Sequence, residues 1–417
     1  MERTIRLGLL FIVLLFTSCY KEEIIDNKLS VQDFSNNKFS FTLSPELKEE
    51  ILNSRDVAII LDPVPELTYG GFIFSLKKMK TRGQSALDYQ RKSYALHLND
   101  EIIFSTKNGN TKAFNQFKLI SMVFDYTYIE NRLAHLLMSE VELWPLHSFY
   151  TEVELNNDHQ GLYLFVEDPD QYLFETEHAD FIIRRYYQND YSENKTRDGN
   201  LIEGQNYINH FKEIYNIITL FQGKALYDEL SGRMNIDRYM RKMAFDFIVQ
   251  NGDYTDEIFF YGYKKNKQVY FDILPWDYDD LFASTPHEVG RTWAVGRVFG
   301  SREYSSHQQV LDKLDGKLIF SIEDDLDYCI AMDDYLYGIY VDNLKFVLSK
   351  ITTNQIAQTF ELVHQELLPF YQIPEVIEQS KYDANTTSLY KLNENIENKL
   401  LFLTTRIQWI NQQLNQE

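Results

Sequence analysis

Apolar and polar residues alternate along much of the first third of the chain, a pattern typical of β-strands with one buried face. Strand signals of this kind occupy residues 57–61, 71–80 and 92–99. A hairpin is predicted over residues 151–167, with its turn closed by Gly161. One helix interrupts these strands, with Asp125 as a suitable N-cap and an apolar stripe from Ile129 to Val141. We therefore predict a mixed sheet with one helix over residues 39–170.

Beyond residue 200 the spacing of apolar residues becomes helical. Asn235 can cap a helix that ends at Asn251–Gly252, and a short hairpin is predicted over residues 257–274. In the last helix, apolar residues recur at alternating spacings of four and three from Ile396 to Leu414. The pattern predicts an α+β protein with a β-rich first lobe and a mainly helical second lobe, residues 171–417.

The N-terminus is typical of an exported protein. Residues 1–18 have a basic start and an apolar run too short to span a bilayer, which predicts a signal peptide. The sequence "FTSC" resembles the lipobox of bacterial lipoproteins, so Cys19 is the expected lipidation site and residues 19–38 a flexible tether. The following "YKEE" resembles a surface-export signal of outer-membrane lipoproteins. We expect lipid anchoring in the outer membrane, at the cell surface or facing the periplasm; the alternative is a secreted protein with an unmodified cysteine.

Composition restricts the partners. The 417 residues include 41 Lys and Arg against 62 Asp and Glu, a net charge of −21. This excludes a broad basic surface for nucleic acid and leaves the lipid anchor as the only expected membrane contact. If Cys19 is lipidated, Cys329 has no partner, and no intrachain disulfide can form.

Acidic residues follow two predicted elements of the second lobe. Asp253 comes directly after a helix end, and Asp277 comes directly after the second strand of the hairpin. Because the hairpin joins these two points, the two carboxylates can converge at one site. Phosphoryl transfer uses such a pair, one acid to orient the attacking hydroxyl and one to hold Mg²⁺. The alternative is that Asp277, Asp279 and Asp280 only cap turns.

Several stretches, in the same order, resemble the CotH family, named after spore coat protein H. They are "LKKMKTRGQSALDYQRKSYALHL", "DYTYIENRLAHLLMSEV", "TEVELNNDHQGLYLFVED", "NGDYTDEIFFYGY…FDILPWDYDDLF" and "ENKLLFLTTRIQWINQQL". The resemblance implies an atypical, two-lobed protein-kinase-like fold. It also implies ATP as co-substrate, Mg²⁺ or Mn²⁺ as cofactor and a protein as phosphate acceptor.

The resemblance places the nucleotide site in the first lobe. It implies that Arg82 and Lys92 bind the phosphates, and that Gly83 and Ser85 let the backbone approach them closely. Glu167 falls where the chain passes between the lobes, and either contacts the nucleotide or caps a turn. From the residues alone, Arg82 and Lys92 would be assigned to a solvated strand edge.

The resemblance places catalysis in the second lobe. It makes Asp253 the catalytic acid, Asp277 a metal ligand, and Asp279 a second ligand or a residue that supports the first. Where the family has a metal-binding Asn, this chain has only Asp256 or Glu257. On the helix, Arg132 is expected either to pair with a first-lobe carboxylate or to lie on the surface.

Two functions remain open from the sequence. One is a CotH-like atypical protein kinase that phosphorylates Ser or Thr of an extracytoplasmic protein in a Mg²⁺-dependent reaction. The other is a non-catalytic surface lipoprotein, in which aromatic residues including Trp276, Tyr278 and Trp293 present a glycan- or protein-binding surface on a pseudokinase scaffold.

Overall fold

The computed structural model describes residues 37–105, 111–186, 190–253, 255, 257–265, 268–287, 289, 298–299, 304–376 and 388–415. The signal peptide, Cys19, Asp256 and Trp293 lie outside these residues, so what the sequence predicts for them stays a prediction. Among the described residues, no helix is both long enough and apolar enough to span a membrane.

The first lobe is built on one eight-stranded sheet. Its strands are β1 (Lys38–Thr42), β2 (Glu66–Tyr69), β3 (Phe72–Phe74), β4 (Leu76–Arg82), β5 (Ser93–Ser105), β6 (Thr111–Ile120), β7 (Ser148–Leu155) and β8 (Asp158–Glu167). They lie in the order β3-β2-β1-β7-β8-β6-β5-β4, and only the β1–β7 pair is parallel. Two helices accompany the sheet, α1 (Pro45–Asn53) and α2 (Glu130–Glu140).

The two faces of this sheet pack against different parts of the molecule. Alternate residues of a strand point to opposite faces. On one face, Phe165 of β8 and its neighbours form an apolar core that α1 covers. On the other face, Leu164 and Val166 of β8 join α2 in the core of the second lobe. The sheet is therefore buried on both sides around β8.

The predicted hairpin over residues 151–167 is confirmed as β7–β8, but its turn is not where the sequence placed it. Asn156 and Asn157 make the turn, with φ of 53° and 64°. Gly161 lies inside β8, opposite Val153 and beside a shift in the ladder register. Asn tolerates the left-handed conformation because its short polar side chain bonds locally, so no glycine is needed.

The second lobe combines a four-stranded antiparallel sheet with most of the helices, which confirms the α+β class. The sheet has the order β10-β9-β11-β12. Its strands are β9 (Phe181–Arg185), β10 (Tyr191–Thr196), β11 (Ile258–Lys265) and β12 (Gln268–Pro275). The helices are α3 (Leu201–Leu220), α4 (Gly223–Ser231), α5 (Ile236–Val249), α6 (His307–Leu314), α7 (Asp325–Met332), α8 (Asp334–Lys350), α9 (Thr353–Leu367) and α10 (Leu389–Leu414).

The last helix fixes the end of α5. The Asn235 side chain caps the start of α5 as predicted, and Gln250 ends it in the left-handed conformation, with φ of 51°. Arg406 of α10 donates from Nε to the carbonyls of Phe247 and Ile248, each at 3.0 Å. A guanidinium thus satisfies carbonyls that the helix itself leaves unpaired. This contact holds α5 directly before the loop that contains Asp253.

Helix α2 connects the two lobes. Asp125 accepts hydrogen bonds from the Ile129 and Asn131 amides at 3.1 and 3.0 Å, so its side chain caps the start of α2, although the N-cap residue is Ile129 and not Asp125 as predicted. Arg132 is buried and bonds Glu366 of α9 through two nitrogens, each at 2.8 Å. Both expectations for Arg132 were therefore wrong, because its partner comes from the second lobe and lies 234 positions away.

Candidate functional site

Two loops of the second lobe meet where α5 and β12 end. The Phe282 amide donates to the Val249 carbonyl at 2.9 Å, and the Gly252 amide donates to the Asp280 carbonyl at 2.9 Å. A Cβ on Gly252 would lie 1.8 Å from Oδ2 of Asp280, so only glycine allows this approach. These contacts hold the Asp253 loop against the loop that follows β12.

Helix α2 holds the loop that follows β12. The Asn131 side chain accepts from the Tyr278 amide at 3.1 Å, and Glu130 accepts from the Leu281 amide at 2.8 Å. The Tyr278 hydroxyl also donates to Asp246 of α5 at 2.9 Å. Asp277 itself has a φ of 52°, which breaks the extended path of β12 and begins the turn. The loop is therefore held by hydrogen bonds to its backbone amides and by the hydrogen bond of the buried Tyr278 side chain.

Five carboxyl groups interact electrostatically at this point, and we call them the acid cluster: Asp125, Glu130, Asp253, Asp277 and Asp279. Burial raises the pKa of Asp277, and the negative charge of Asp253 raises it further. Burial also holds the pKa of Asp279 well above its usual range, together with the charges of the other four acids. Mutual repulsion of this kind is relieved by a bound cation. Oxygen donors are the ligands that Mg²⁺ and Mn²⁺ prefer, and Mg²⁺ needs only one or two protein carboxylates besides water and phosphate oxygens, so the donor type present fits such an ion.

A histidine that sequence reasoning missed lies beside the catalytic candidate. His287 approaches Asp280 with Nε2 at 2.9 Å and Asp253 with Nδ1 at 3.6 Å. Hydrogen bonds to these two carboxylates raise the pKa of His287 to about 10, so the ring is a cation at neutral pH. Nothing in the spacing of the sequence marked this residue, which reaches the site only because its loop folds back onto Gly252.

Two cations of the first lobe lie against Trp276 of the second lobe. Arg82 is the last residue of β4, and its guanidinium lies 5.8 Å from the ring centre of Trp276. Trp276 directly precedes Asp277 in the chain. Lys118 of β6 lies 4.9 Å from the same ring and pairs with Asp168 at 3.3 Å. The charge of Arg82 lowers the pKa of Asp277, against the effect of burial. Cations and acids of opposite lobes therefore share one electrostatic site.

A protein-family model described as CotH kinase protein matches residues 79–321. This range is more than half of the chain and contains the whole acid cluster, Arg82 and Lys118. The chain belongs to the CotH kinase family. A search of curated proteins found no match. Family membership gives the chain a kinase-like fold and a kinase-like function, and it suggests the use of ATP and a divalent metal and implies a protein substrate.

The structure does not bring Lys92 to this CotH kinase site. Its ammonium donates to the backbone carbonyls of Ser54, Leu87 and Tyr89, at 2.7, 2.5 and 2.5 Å. An ammonium has three protons, so all of them are used within the first lobe. Burial lowers the pKa of Lys92 to about 8. The assignment of Lys92 to the nucleotide phosphates is therefore corrected: it closes a loop, and Lys118 is the lysine at the junction.

The Glu167 carboxylate also binds residues outside the site. It accepts from the His147 amide at 3.1 Å and pairs with Lys112 at 2.9 Å. The neighbouring acid, Asp168, pairs with Lys118 and caps the helical turn at Pro169–Gln171. Because consecutive strand residues point to opposite faces, a shift of one position decides which acid reaches the junction. Asp168, not Glu167, is the acid that faces the site.

The remaining predicted residues lie at the edge of the site. Gly83 and Ser85 lie one and three positions after Arg82, and Gly83 has a φ of 110°, which an L side chain rarely adopts. Their contact with a nucleotide stays a prediction. Glu257 is buried and pairs with Arg184 at 2.5 Å, so its carboxylate has a cationic partner instead of standing among the five repelling acids.

Two of the three aromatic side chains named for the alternative binding surface, Trp276 and Tyr278, are not accessible. Trp276 is 4% exposed and Tyr278 is fully buried. Trp276 packs against Trp144 and Phe259, while its face is covered by Arg82 and Lys118. A ring must be open to solvent to stack on a sugar, so these two residues do not form a glycan-binding surface.

Proposed function

We propose that this CotH kinase family member is a Mg²⁺- or Mn²⁺-dependent phosphotransferase that moves the γ-phosphoryl group of ATP to Ser or Thr of an extracytoplasmic protein. The observation that supports it is the pair of buried acids Asp277 and Asp279, whose pKa values are raised, beside Arg82 at the lobe junction. Buried acids with raised pKa values are favourable sites for a cation, because a bound metal stabilises their ionised form.

In this proposal each group has one task. Asp253 is about two-fifths exposed, so a substrate hydroxyl can reach it, and it orients that hydroxyl or accepts its proton. Asp277 and Asp279 hold the metal, which neutralises the phosphate charge. Arg82 and Lys118 bind phosphate oxygens from the opposite lobe. Anchoring through Cys19 in the outer membrane would place this reaction outside the cytoplasm.

The experiment is transfer of labelled phosphate from ATP to Ser/Thr-rich acceptor proteins, with the full chain in Mg²⁺ or Mn²⁺. Asp253→Asn should lower the rate by roughly 10²- to 10⁴-fold, and Asp277→Asn should abolish metal-dependent ATP binding. Asp228→Asn is the matched control, because Asp228 lies on the surface of α4 and pairs with Lys224 four positions away.

The alternative, a non-catalytic scaffold, makes the opposite prediction. A wild-type chain that binds neither ATP nor a divalent metal at millimolar concentration would overturn the kinase proposal. Metal-dependent ATP binding without transfer to any acceptor would assign the chain to the pseudokinases.

A further inference from the structure

Three metal-ligating side chains meet at the hairpin end of the first-lobe sheet. Glu152 and Glu154 are two positions apart on β7, and His159 of β8 is the ladder partner of Glu154. The register shift between Val153 and Glu154 sets this pairing. The ligand atoms of the three residues all lie within 4.8 Å of one another. The backbone ladder therefore holds a nitrogen and two carboxylates in one place, on rigid strands.

Both carboxylates are buried, which is unusual for two like charges side by side. Glu152 and Glu154 are each 6% exposed, and burial raises the pKa of Glu152. His159 contacts Glu152 through Nδ1 and lies 3.5 Å from Glu154 through Nε2. Lys38 of β1 pairs with Glu154 at 2.6 Å, but its side chain is 37% exposed. The cation that balances Glu154 can thus be exchanged without opening the core.

We propose that Glu152, Glu154 and His159 form a binding site for a divalent transition metal, with Zn²⁺ as the preferred ion. Two carboxylates and one neutral imidazole balance a charge of 2+, and three protein ligands leave a fourth tetrahedral position for water. An imidazole ligand favours Zn²⁺ over Mg²⁺, which prefers oxygen donors. Lys38 moves out to solvent when the metal binds.

One neighbour is placed to orient a ligand. The Ser40 hydroxyl of β1 donates to Oε2 of Glu154 at 3.0 Å, which leaves Oε1 directed toward His159. Hydrogen bonds of this kind fix the direction of a carboxylate ligand and strengthen metal binding. Because Ser40 belongs to β1, a metal bound by β7 and β8 would also stabilise the attachment of the first strand of the sheet.

This site is separate from the acid cluster and does not depend on the proposed kinase activity. His159 lies near the start of β8, whereas Asp168, the acid at the lobe junction, directly follows its end. Nine residues of extended strand span roughly 30 Å. A metal at the triad therefore stabilises the first lobe and takes no part in phosphate chemistry.

The test is metal titration of the purified full chain, with Zn²⁺ for affinity and Co²⁺ as a spectroscopic probe of tetrahedral nitrogen and oxygen ligation. We expect one Zn²⁺ per chain that survives dialysis. His159→Ala and Glu154→Gln should each weaken it at least about 100-fold, while Asp277→Asn leaves it unchanged. His210→Ala is the matched control, because His210 pairs with Glu213 on the surface of α3.

The variant Lys38→Met keeps all three ligands and tests whether the triad binds metal or only forms an ion-pair network. If the triad binds metal, this variant binds Zn²⁺ more tightly, because the competing ammonium is gone. A wild-type chain that retains no Zn²⁺ overturns the proposal. A Zn²⁺ ion that is lost in Asp277→Asn, or kept equally by His159→Ala and Glu154→Gln, also overturns it.

Discussion

The buried ion pair between α2 and α9 and the acid cluster at the lobe junction differ in how their charges are balanced. Arg132 and Glu366 bond each other through two hydrogen bonds of 2.8 Å, and Arg132 also donates to Ser148. In the acid cluster, Glu130 pairs with Lys399 at 2.6 Å and Asp253 lies 3.6 Å from His287, yet burial still raises the pKa values of Asp277 and Asp279. Burial of charge is therefore common to structural and functional residues in this protein. Imbalance of charge is what sets the candidate site apart.

The largest effect is expected from breaking the balanced pair. Arg132→Met leaves the Glu366 carboxylate buried without a partner, and should lower the free energy of unfolding by about 3–5 kcal/mol. Urea denaturation followed by circular dichroism measures this. The double variant Arg132→Met/Glu366→Leu should recover most of the loss, because it removes both charges. If the double variant is as unstable as the single one, the pair does not act as a unit.

A smaller effect, on ATP affinity, distinguishes Arg82, the cation at the site, from Lys92, which has a structural role. Arg82→Met should weaken ATP binding about 10- to 100-fold, since a charge-assisted contact to phosphate contributes about 1.5–3 kcal/mol. Lys92→Met should leave ATP affinity unchanged but lower stability, because the carbonyls of Ser54, Leu87 and Tyr89 lose their donor. Calorimetric titration and thermal unfolding of both variants give the comparison. Equal ATP affinities for the two variants would contradict the placement of Arg82.

Removing a charge from the acid cluster should stabilise the protein, the reverse of the effect at the ion pair. The folded-state pKa of Asp279 lies above its unfolded value, so its ionised form at pH 7 opposes folding. Asp279→Asn should raise the free energy of unfolding by roughly 1 kcal/mol in metal-free buffer, and the wild-type chain should gain stability from this group as the pH falls from its raised folded-state pKa towards the unfolded value. A loss of stability in Asp279→Asn would show that the acid has a structural partner.

The smallest effect concerns His287. Its folded-state pKa of about 10 lies above the ordinary value of 6.5, so its contribution to stability is fully present below pH 6.5 and is lost as the pH rises through 10. Because the side chain is 43% exposed, this contribution is at most about 1 kcal/mol. Unfolding of the metal-free chain at pH 7 and pH 10 should show a steeper loss for wild type than for His287→Gln. Identical losses would place His287 away from the two carboxylates.

Much of the candidate site follows from local sequence. The acids at 253 and 277 come after a helix and a strand whose periods are plain in the sequence, and the hairpin between them brings their ends together. Arg82 at the end of its strand also reached the site. Lys92 and Glu167 did not, and Lys118 and Asp168 took the corresponding places. In each case the residue type was right, but the face or the strand was wrong.

Residue spacing determines which elements form and which side of each is apolar, because helix and strand periods are local properties of the backbone. It does not determine what lies across a packed surface. The partner of Arg132 is 234 positions away, and the approach of His287 to Asp253 depends on two loops meeting. Such contacts arise when separate elements pack, so the tertiary structure alone decided which of the many charged residues are paired and which acids are left in excess.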